Sequence, residues 1–311
     1  MQVCVVGPGA LGCLHAYMLT RAGIHTCLLD HRPDRAWLIA QQGLTVDSRE
    51  GTWTTRVRCT AEPAEARPAD LLLFCVKTFQ TASAARHAAS LVGPQTVVVR
   101  LQNGLADPDP LVRLVGEARV VLGVSGQGAN TVAWGHIRHA GDGPTRLGPL
   151  VPAGGEAATR AAEVLSRALP DVAVVADVPG MLWRKLLANV VINPLTALTG
   201  LRNGQLLDVP VLRAAMADLA AEAESVARAA GIDLSPGEGL ALAEAACRQT
   251  AANRSSMLQD VSQSRPTEID DLCGAVVREA GRLGLTAPLN AAMVRLVSEV
   301  CGSSSPNDAA P

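Results

Sequence analysis

Only two of the 27 basic residues in this 311-residue chain are lysines, Lys77 and Lys185. Arginine keeps its proton near neutrality, whereas burial can tune an amine into a general acid, so a lysine in an arginine-dominated chain marks a place suited to proton chemistry. Lys185 lies in the run M-L-W-R-K-L-L-A-N-V-V-I-N-P-L-T-A-L-T, apolar nearly all round, and Asn189 and Asn193 follow it at four-residue spacing. On a helix these side chains form one stripe, drifting only about 40° per step. Burying an amine and two amides against hydrocarbon is unfavourable unless something polar meets them, either protein groups or a bound ligand. Pro194, just past the stripe, removes a helix hydrogen bond and is expected to kink the helix. A second polar segment, Ser255 to Asp271, offers hydroxyls at Ser255 and Ser256 and carboxylates at Asp260, Glu268 and Asp270, and spacing does not choose among them. All six histidines precede residue 140, so chemistry in the second half would not use a histidine from that half. The sole tyrosine, Tyr17, is followed four residues on by Arg21, so a Tyr-x-x-x-Lys proton-donor pair is absent.

At the other end of the chain, Gly7, Gly9 and Gly12 stand at G-x-G-x-x-G spacing in G-P-G-A-L-G, directly after an apolar strand pattern and at the start of a helical one. Gly7 permits a tight turn, Gly9 lets the backbone approach a pyrophosphate, and Gly12 lets helix and strand pack closely. Phosphates would sit on the helix start at Ala10, Leu11 and Gly12. The end of the second strand should choose the dinucleotide, because an acid there binds a ribose 2′-hydroxyl and a cation accommodates a 2′-phosphate. Both signals occur: Asp30 stands 18 residues after Gly12, and His31, Arg32 and Arg35 follow at once. NADP(H) and NAD(H) both remain open on these residues alone.

The elements that must position these groups follow from pattern. Gln2 to Gly7, Thr26 to Asp30, Asp70 to Val76, Gln95 to Arg100 and Val120 to Val124 read as buried strands. Helical patterns occupy about Leu11 to Ala22 and Ala82 to Leu91, and the alternation implies a parallel, doubly wound sheet. His136 to Leu147 is strand-like with a Gly-rich turn and is expected to finish that sheet. From about Pro179 the patterns are helical: Met181 to Thr199, Val211 to Ala230, Gly237 to Ala252, Ser255 to Leu283 and Ala287 to Val300. The expected division is a dinucleotide-binding domain over 1–172, a helical domain over 173–301 and a polar, disordered tail over 302–311. No internal repeat or heptad pattern appears.

Composition excludes other classes. A net charge of -2 with scattered signs gives no basic field for nucleic acid or an anionic membrane. Apolar runs are too short to span a bilayer, and no basic n-region precedes the first strand. The eight cysteines form no C-x-x-C pair and several sit in apolar strand patterns, so neither a disulfide framework nor a metal is expected and a cytoplasmic setting is. Apolar helical faces admit a homodimer without requiring one.

The runs L-W-R-K-L-L-A-N-V-V-I-N-P-L-T-A-L, R-N-G-Q-L, S-S-M-L-Q-D and T-E-I-D, with L-Q-N-G at 101–104 and V-K-T-F-Q at 76–80, closely resemble the ketopantoate reductase (2-dehydropantoate 2-reductase) family, over the chain to about residue 296. The resemblance implies an α/β fold. An N-terminal Rossmann dinucleotide-binding domain would be followed by an all-helical C-terminal domain like that of 6-phosphogluconate dehydrogenase, with the active site in the cleft between. It further implies reduction of a small 2-oxo acid, 2-dehydropantoate, to (R)-pantoate with NADPH in pantothenate and coenzyme A synthesis. Carried over by position, Lys185 is the general acid to the ketone oxygen and Glu268 the acid that bonds the substrate hydroxyl. Asn103, Asn189, Asn193, Asn203 and Ser256 fall on substrate-binding positions. Gly7, Gly9, Ala10, Leu11, Gly12, Asp30, His31, Arg32 and Lys77 fall on the cofactor side, with Asn103 and Glu268 reaching it as well. The chain departs from the family where a cation usually follows position 30, since it has His31 there. Asp30 is an acid where small or apolar residues are commoner, and G-V-S-G-Q-G-A at 123–129 replaces a T-T-H-G-A type of segment. The rival readings are a reductase of another 2-oxo acid, an opine-type dehydrogenase on the same scaffold, or a non-catalytic dinucleotide sensor.

Overall fold

A computed structural model describes residues 1–66, 68–105 and 107–302. The chain divides into two compact units. The first comprises Met1–Gln102 and Asp107–Val178, and the second runs on from Pro179 and takes in the 103–105 segment.

In the first unit the elements follow in the order β1 (Gln2–Val6), α1 (Ala10–Arg21), β2 (His25–Leu29), α2 (Pro33–Gln42), β3 (Leu44–Ser48), β4 (Gly51–Thr55), β5 (Arg58–Thr60), β6 (Ala69–Phe74), α3 (Thr81–His87), β7 (Val92–Arg100), α4 (Asp109–Val115), β8 (Val120–Ser125), β9 (Gly128–Ala133), β10 (His136–Gly141), β11 (Thr145–Pro149), α5 (Gly155–Ser166) and β12 (Val172–Val174). Eight strands form one sheet in the order β12-β11-β8-β7-β6-β1-β2-β5. All neighbours are parallel except β8 and β11. Val3, Val5, Leu28, Leu71, Leu73, Val97 and Val99 lie in its core, and the strands read as apolar runs because helices cover both faces. Strand order reverses at β1, between β2 and β6, so the carboxyl ends of β1 and β6 form the switch point at which such sheets bind ligands.

A second sheet of four strands, β4-β3-β10-β9, was not legible in the sequence. The 136–147 stretch therefore divides: β10 pairs with β3 and β9 in the small sheet, and only β11 joins the large one. The parallel β3–β10 pairing joins segments far apart in the chain, which periodicity cannot see. Helix α1 packs against β1 and β2 on one side and against β3, β9 and β10 on the other. Its Cys13, Leu14, His15, Ala16 and Leu19 are all buried as a result. At the end of this unit β12 pairs with β11, so the unit runs to Val178 rather than ending at 172.

The second unit is helical: α6 (Val178–Thr199), α7 (Pro210–Ala229), α8 (Glu238–Gln249), α9 (Ser256–Val261), α10 (Ile269–Arg282) and α11 (Pro288–Gly302). Its core gathers Trp183, Leu186, Leu187, Val190 and Val191 of α6 with Met216, Leu219, Cys247, Leu272 and Val276. Pro194 lies inside α6 without ending it. Proline cannot donate to the carbonyl four residues back, and that Val190 carbonyl instead accepts the Cys273 thiol of α10 at 3.7 Å. The expected continuous helix over Ser255 to Leu283 is broken between α9 and α10, where Ser264 takes φ 50° and Pro266 follows. Arg265 closes this turn by bonding the Asp260 carboxylate at 2.8 Å. Gly302 ends α11, and the rest of the expected tail, 303–311, lies outside the described residues. Among the described residues no helix is long and apolar enough to cross a membrane, and no three ligating side chains cluster as for a metal.

Candidate active site

The glycine turn of the first unit has the geometry its spacing predicts. Gly7 takes φ 100°, and a Cβ there would lie 2.6 Å from the Val76 side chain at the end of β6. A Cβ on Gly12 would lie 2.0 Å from the Gly7 carbonyl oxygen, so helix and turn touch through bare backbone. Gly9 differs: no atom lies within 4 Å of its would-be Cβ, so the space over it is open. Gly9 also begins α1, with no side chain capping the helix and no acid in its first turn. The amides of Ala10, Leu11 and Gly12 thus form an uncapped helix start, favourable to an anion.

Asp30, at the end of β2, is enclosed. Arg35 holds its carboxylate through Nε at 2.6 Å and Nη2 at 2.7 Å, and the Arg32 amide donates to it at 3.1 Å. His31 is exposed beside it, its Nδ1 3.5 Å from Oδ1. Arg32 pairs with Asp34 at 2.7 Å and lies over the ring of Trp134. Lys77 follows Val76, three residues past the end of β6, and starts the short turn Thr78–Gln80. Gln102, at the exit of β7, donates to the Val76 carbonyl at 2.9 Å and to Thr81 Oγ1 at 2.7 Å, tying this turn to the neighbouring strand. Gln102 was visible as part of L-Q-N-G, but its positioning role was not.

The second unit gathers the remaining groups around α6. Lys185 is enclosed enough that burial lowers its pKa below the ordinary lysine value, which makes the ammonium a readier proton donor. One turn along, Asn189 Nδ2 donates to Asn103 Oδ1 at 3.5 Å. Asn103 is held there because Gly104 passes α10 closely: φ is 81°, and a Cβ would meet the Asp271 carbonyl at 2.2 Å. Another turn along, Asn193 is 5% exposed. Glu268 is buried at the start of α10, beside that same contact with the 103–105 segment.

The two adjacent serines divide their roles. Ser255 is buried, accepts the Leu258 amide at 3.0 Å as helix cap, and lies 2.6 Å from Thr196 Oγ1 of α6. Ser256 is exposed on the first turn of α9. The Thr196–Ser255 link, invisible in the sequence, ties this turn to α6. Asn203 is placed differently: Nδ2 bonds Thr250 Oγ1 at 2.8 Å and its amide bonds the Asn253 carbonyl at 3.0 Å, so it braces the chain leading into Ser255. Its Oδ1 is buried without a protein partner. The structure thus brings Lys185, Asn189, Asn193 and Asn103 together on and beside α6, and links Ser256, Asn203 and Glu268 to them through neighbouring turns.

Comparison with known proteins agrees with both units. Residues 3–152 match the family model for ketopantoate reductase PanE/ApbA, and residues 177–300 match that for its C terminal part. A 2-dehydropantoate 2-reductase of Halobacterium salinarum is 34% identical over 298 residues, covering 96% of this chain and 98% of that protein. The crystal structure of a PanE/ApbA family ketopantoate reductase from Ralstonia eutropha JMP134 superposes with a TM-score of 0.86 at 31% identity, covering 97% of this chain and 99% of that one. The fold alone is shared with D-mandelate dehydrogenase solved with NADH and anilino(oxo)acetate, at TM-score 0.91 and 24% identity, covering 97% and 99% of the two chains. With both halves matched and a relative of this identity aligned over nearly its full length, the chain belongs to the ketopantoate reductase family.

Proposed function

We propose that this chain is an NADPH-dependent 2-dehydropantoate 2-reductase with Lys185 as its general acid. The observation that carries the reading is the Lys185 amine, half-buried on α6 with its pKa lowered by desolvation, and continued along the helix by Asn189, which bonds Asn103, and Asn193. The glycine turn fits a dinucleotide: the space over Gly9 is open, the start of α1 is uncapped, and Gly7 and Gly12 are too tightly packed to carry side chains. When bound, the reduced nicotinamide would supply the hydride that adds to the C2 ketone.

The residues of the chain do the rest. Negative charge develops on the ketone oxygen, and Lys185, in its ammonium form, stabilises that charge and donates its proton to the oxygen. Burial serves this role twice, strengthening the electrostatic interaction and easing proton release. Asn103 and Asn189, bonded to each other, and Asn193 supply amide donors and acceptors to orient a small polar substrate. The exposed hydroxyl of Ser256 is assigned to the substrate carboxylate and Glu268 to the substrate hydroxyl, with Asn203 bracing the turn that carries Ser256.

The test is the initial rate of reduced-nicotinamide consumption with 2-dehydropantoate, for the wild type and Lys185→Ala, with NADPH and NADH in parallel. A general acid contributes about 10²- to 10⁴-fold, so kcat should fall by that factor in the variant while dinucleotide affinity is kept. An unchanged kcat would remove Lys185 from the chemistry. Absence of turnover in the wild type with dinucleotide binding intact would move the substrate to another 2-oxo acid or leave a sensor.

A further inference from the structure

An acid that selects the unphosphorylated dinucleotide must offer carboxylate lone pairs to the ribose hydroxyls. Asp30 stands at the position for this, yet its carboxylate is turned inward. The side chain has 0% exposure, Arg35 grips both oxygens at 2.6 and 2.7 Å, and the Arg32 amide takes a further bond to Oδ1. A bidentate guanidinium–carboxylate pair around a buried acid is among the stronger polar contacts in proteins. Turning Asp30 outward would also strand Arg35.

The group that faces outward is Arg32. Its side chain is 45% exposed, and Trp134, from the turn between β9 and β10, lies with its ring 4.6 Å from the guanidinium carbon. Asp34 takes Nε at 3.2 Å and Nη2 at 2.7 Å, occupying one edge of the planar fork. The other edge, Nη1 with the second Nη2 hydrogen, retains the paired donor geometry that suits a phosphate. Because Asp34 is itself 56% exposed, its attraction is screened and does not bar a dianion from that edge.

We propose that Arg35 and Trp134 are specificity-determining residues that make this end of β2 selective for an adenosine 2′-phosphate. Arg35 withdraws Asp30 from the ribose, and Trp134 holds Arg32 flat as the phosphate-binding cation. The proposal rests on the reading that the first unit binds a nicotinamide dinucleotide, and it adds to the NADPH reading the residues that enforce it.

The test is isothermal titration of the full-length protein with adenosine 2′,5′-bisphosphate and with 5′-AMP, which lack the nicotinamide and need no turnover. The wild type should prefer the bisphosphate by about tenfold or more, the range of charge-assisted hydrogen bonds. Arg32→Ala should abolish the preference. Trp134→Ala should cut it about two- to five-fold, as expected of an exposed cation–π contact, with 5′-AMP affinity unchanged and Trp134→Phe restoring most of the loss. Arg35→Met should raise 5′-AMP affinity by releasing Asp30. Equal or tighter wild-type binding of 5′-AMP, or a preference untouched by Trp134→Ala, overturns the proposal and leaves the dinucleotide reading standing. Failure of the folded wild type to bind either probe would sink that reading and the proposal with it.

Discussion

His15 should make the first unit acid-labile, by an amount set by its burial. The side chain is completely buried because α1 is covered by a sheet on each side. Nδ1 donates to the Leu11 carbonyl at 2.8 Å, which leaves Nε2 as an acceptor enclosed without a partner. Burial penalises the imidazolium and lowers the pKa from 6.5 to about 4, with the Leu11 bond opposing only part of the shift. Between these values the unfolded chain binds a proton that the folded chain refuses. Stability is therefore fully present above pH 6.5, is lost as pH falls toward 4, and changes no further from this source below that. The full loss is about 3 kcal/mol, of which about 2 kcal/mol has gone by pH 5. Urea unfolding at pH 7 and pH 5, followed by circular dichroism, should show this loss in the wild type. His15→Leu should show a drop smaller by about 2 kcal/mol, since other titrating groups contribute equally to both proteins. Equal losses in the two proteins would refute the reasoning.

The glycine turn permits a separation of packing from binding. Gly12→Ala places a methyl 2.0 Å from the Gly7 carbonyl, so α1 must shift, and both thermal stability and nucleotide affinity should fall. Gly9→Ala meets no protein atom and should keep its melting temperature while losing nucleotide affinity in titration calorimetry. The reverse pattern would remove Gly9 from the phosphate site. The serines separate in the same way: Ser255→Ala loses a helix cap, worth about 1 kcal/mol in urea unfolding, together with the Thr196 bond. Ser256→Ala should leave stability unchanged and raise KM for the 2-oxo acid. A destabilised Ser256→Ala with normal KM would show that the two roles have been exchanged.

What was legible in the sequence were features written in contiguous residues. The G-x-G-x-x-G turn between β1 and α1 and the Lys185–Asn189–Asn193 stripe depend on spacing within a dozen or so residues, and both took the expected geometry. The rarity of lysine marked Lys185 before any contact was visible. The apolar runs of β1, β2, β6 and β7 declared a sheet covered on both faces. Helix continuity was less secure: α9 and α10 read as one stretch, because a single φ of 50° at Ser264 with Pro266 is weak punctuation beside flanking helical periodicity.

Tertiary structure decided the rest. The pairing of β3 with β10, and so the sandwiching of α1 that buries His15, joins segments that share no local pattern. Which arginine reaches Asp30 is likewise a tertiary matter: Arg35 folds back onto it while Arg32 turns away to Trp134. Ser255 and Ser256 are chemically identical neighbours; Ser255 caps α9, and Thr196 of α6 arrives at it from elsewhere in the chain, while Ser256 stays exposed. Helical periods and turn chemistry arise from covalent neighbours, and so they survive in the sequence alone. The partner of a charge or a hydroxyl depends on which distant segment the fold delivers to it, and that is settled only once the core has packed.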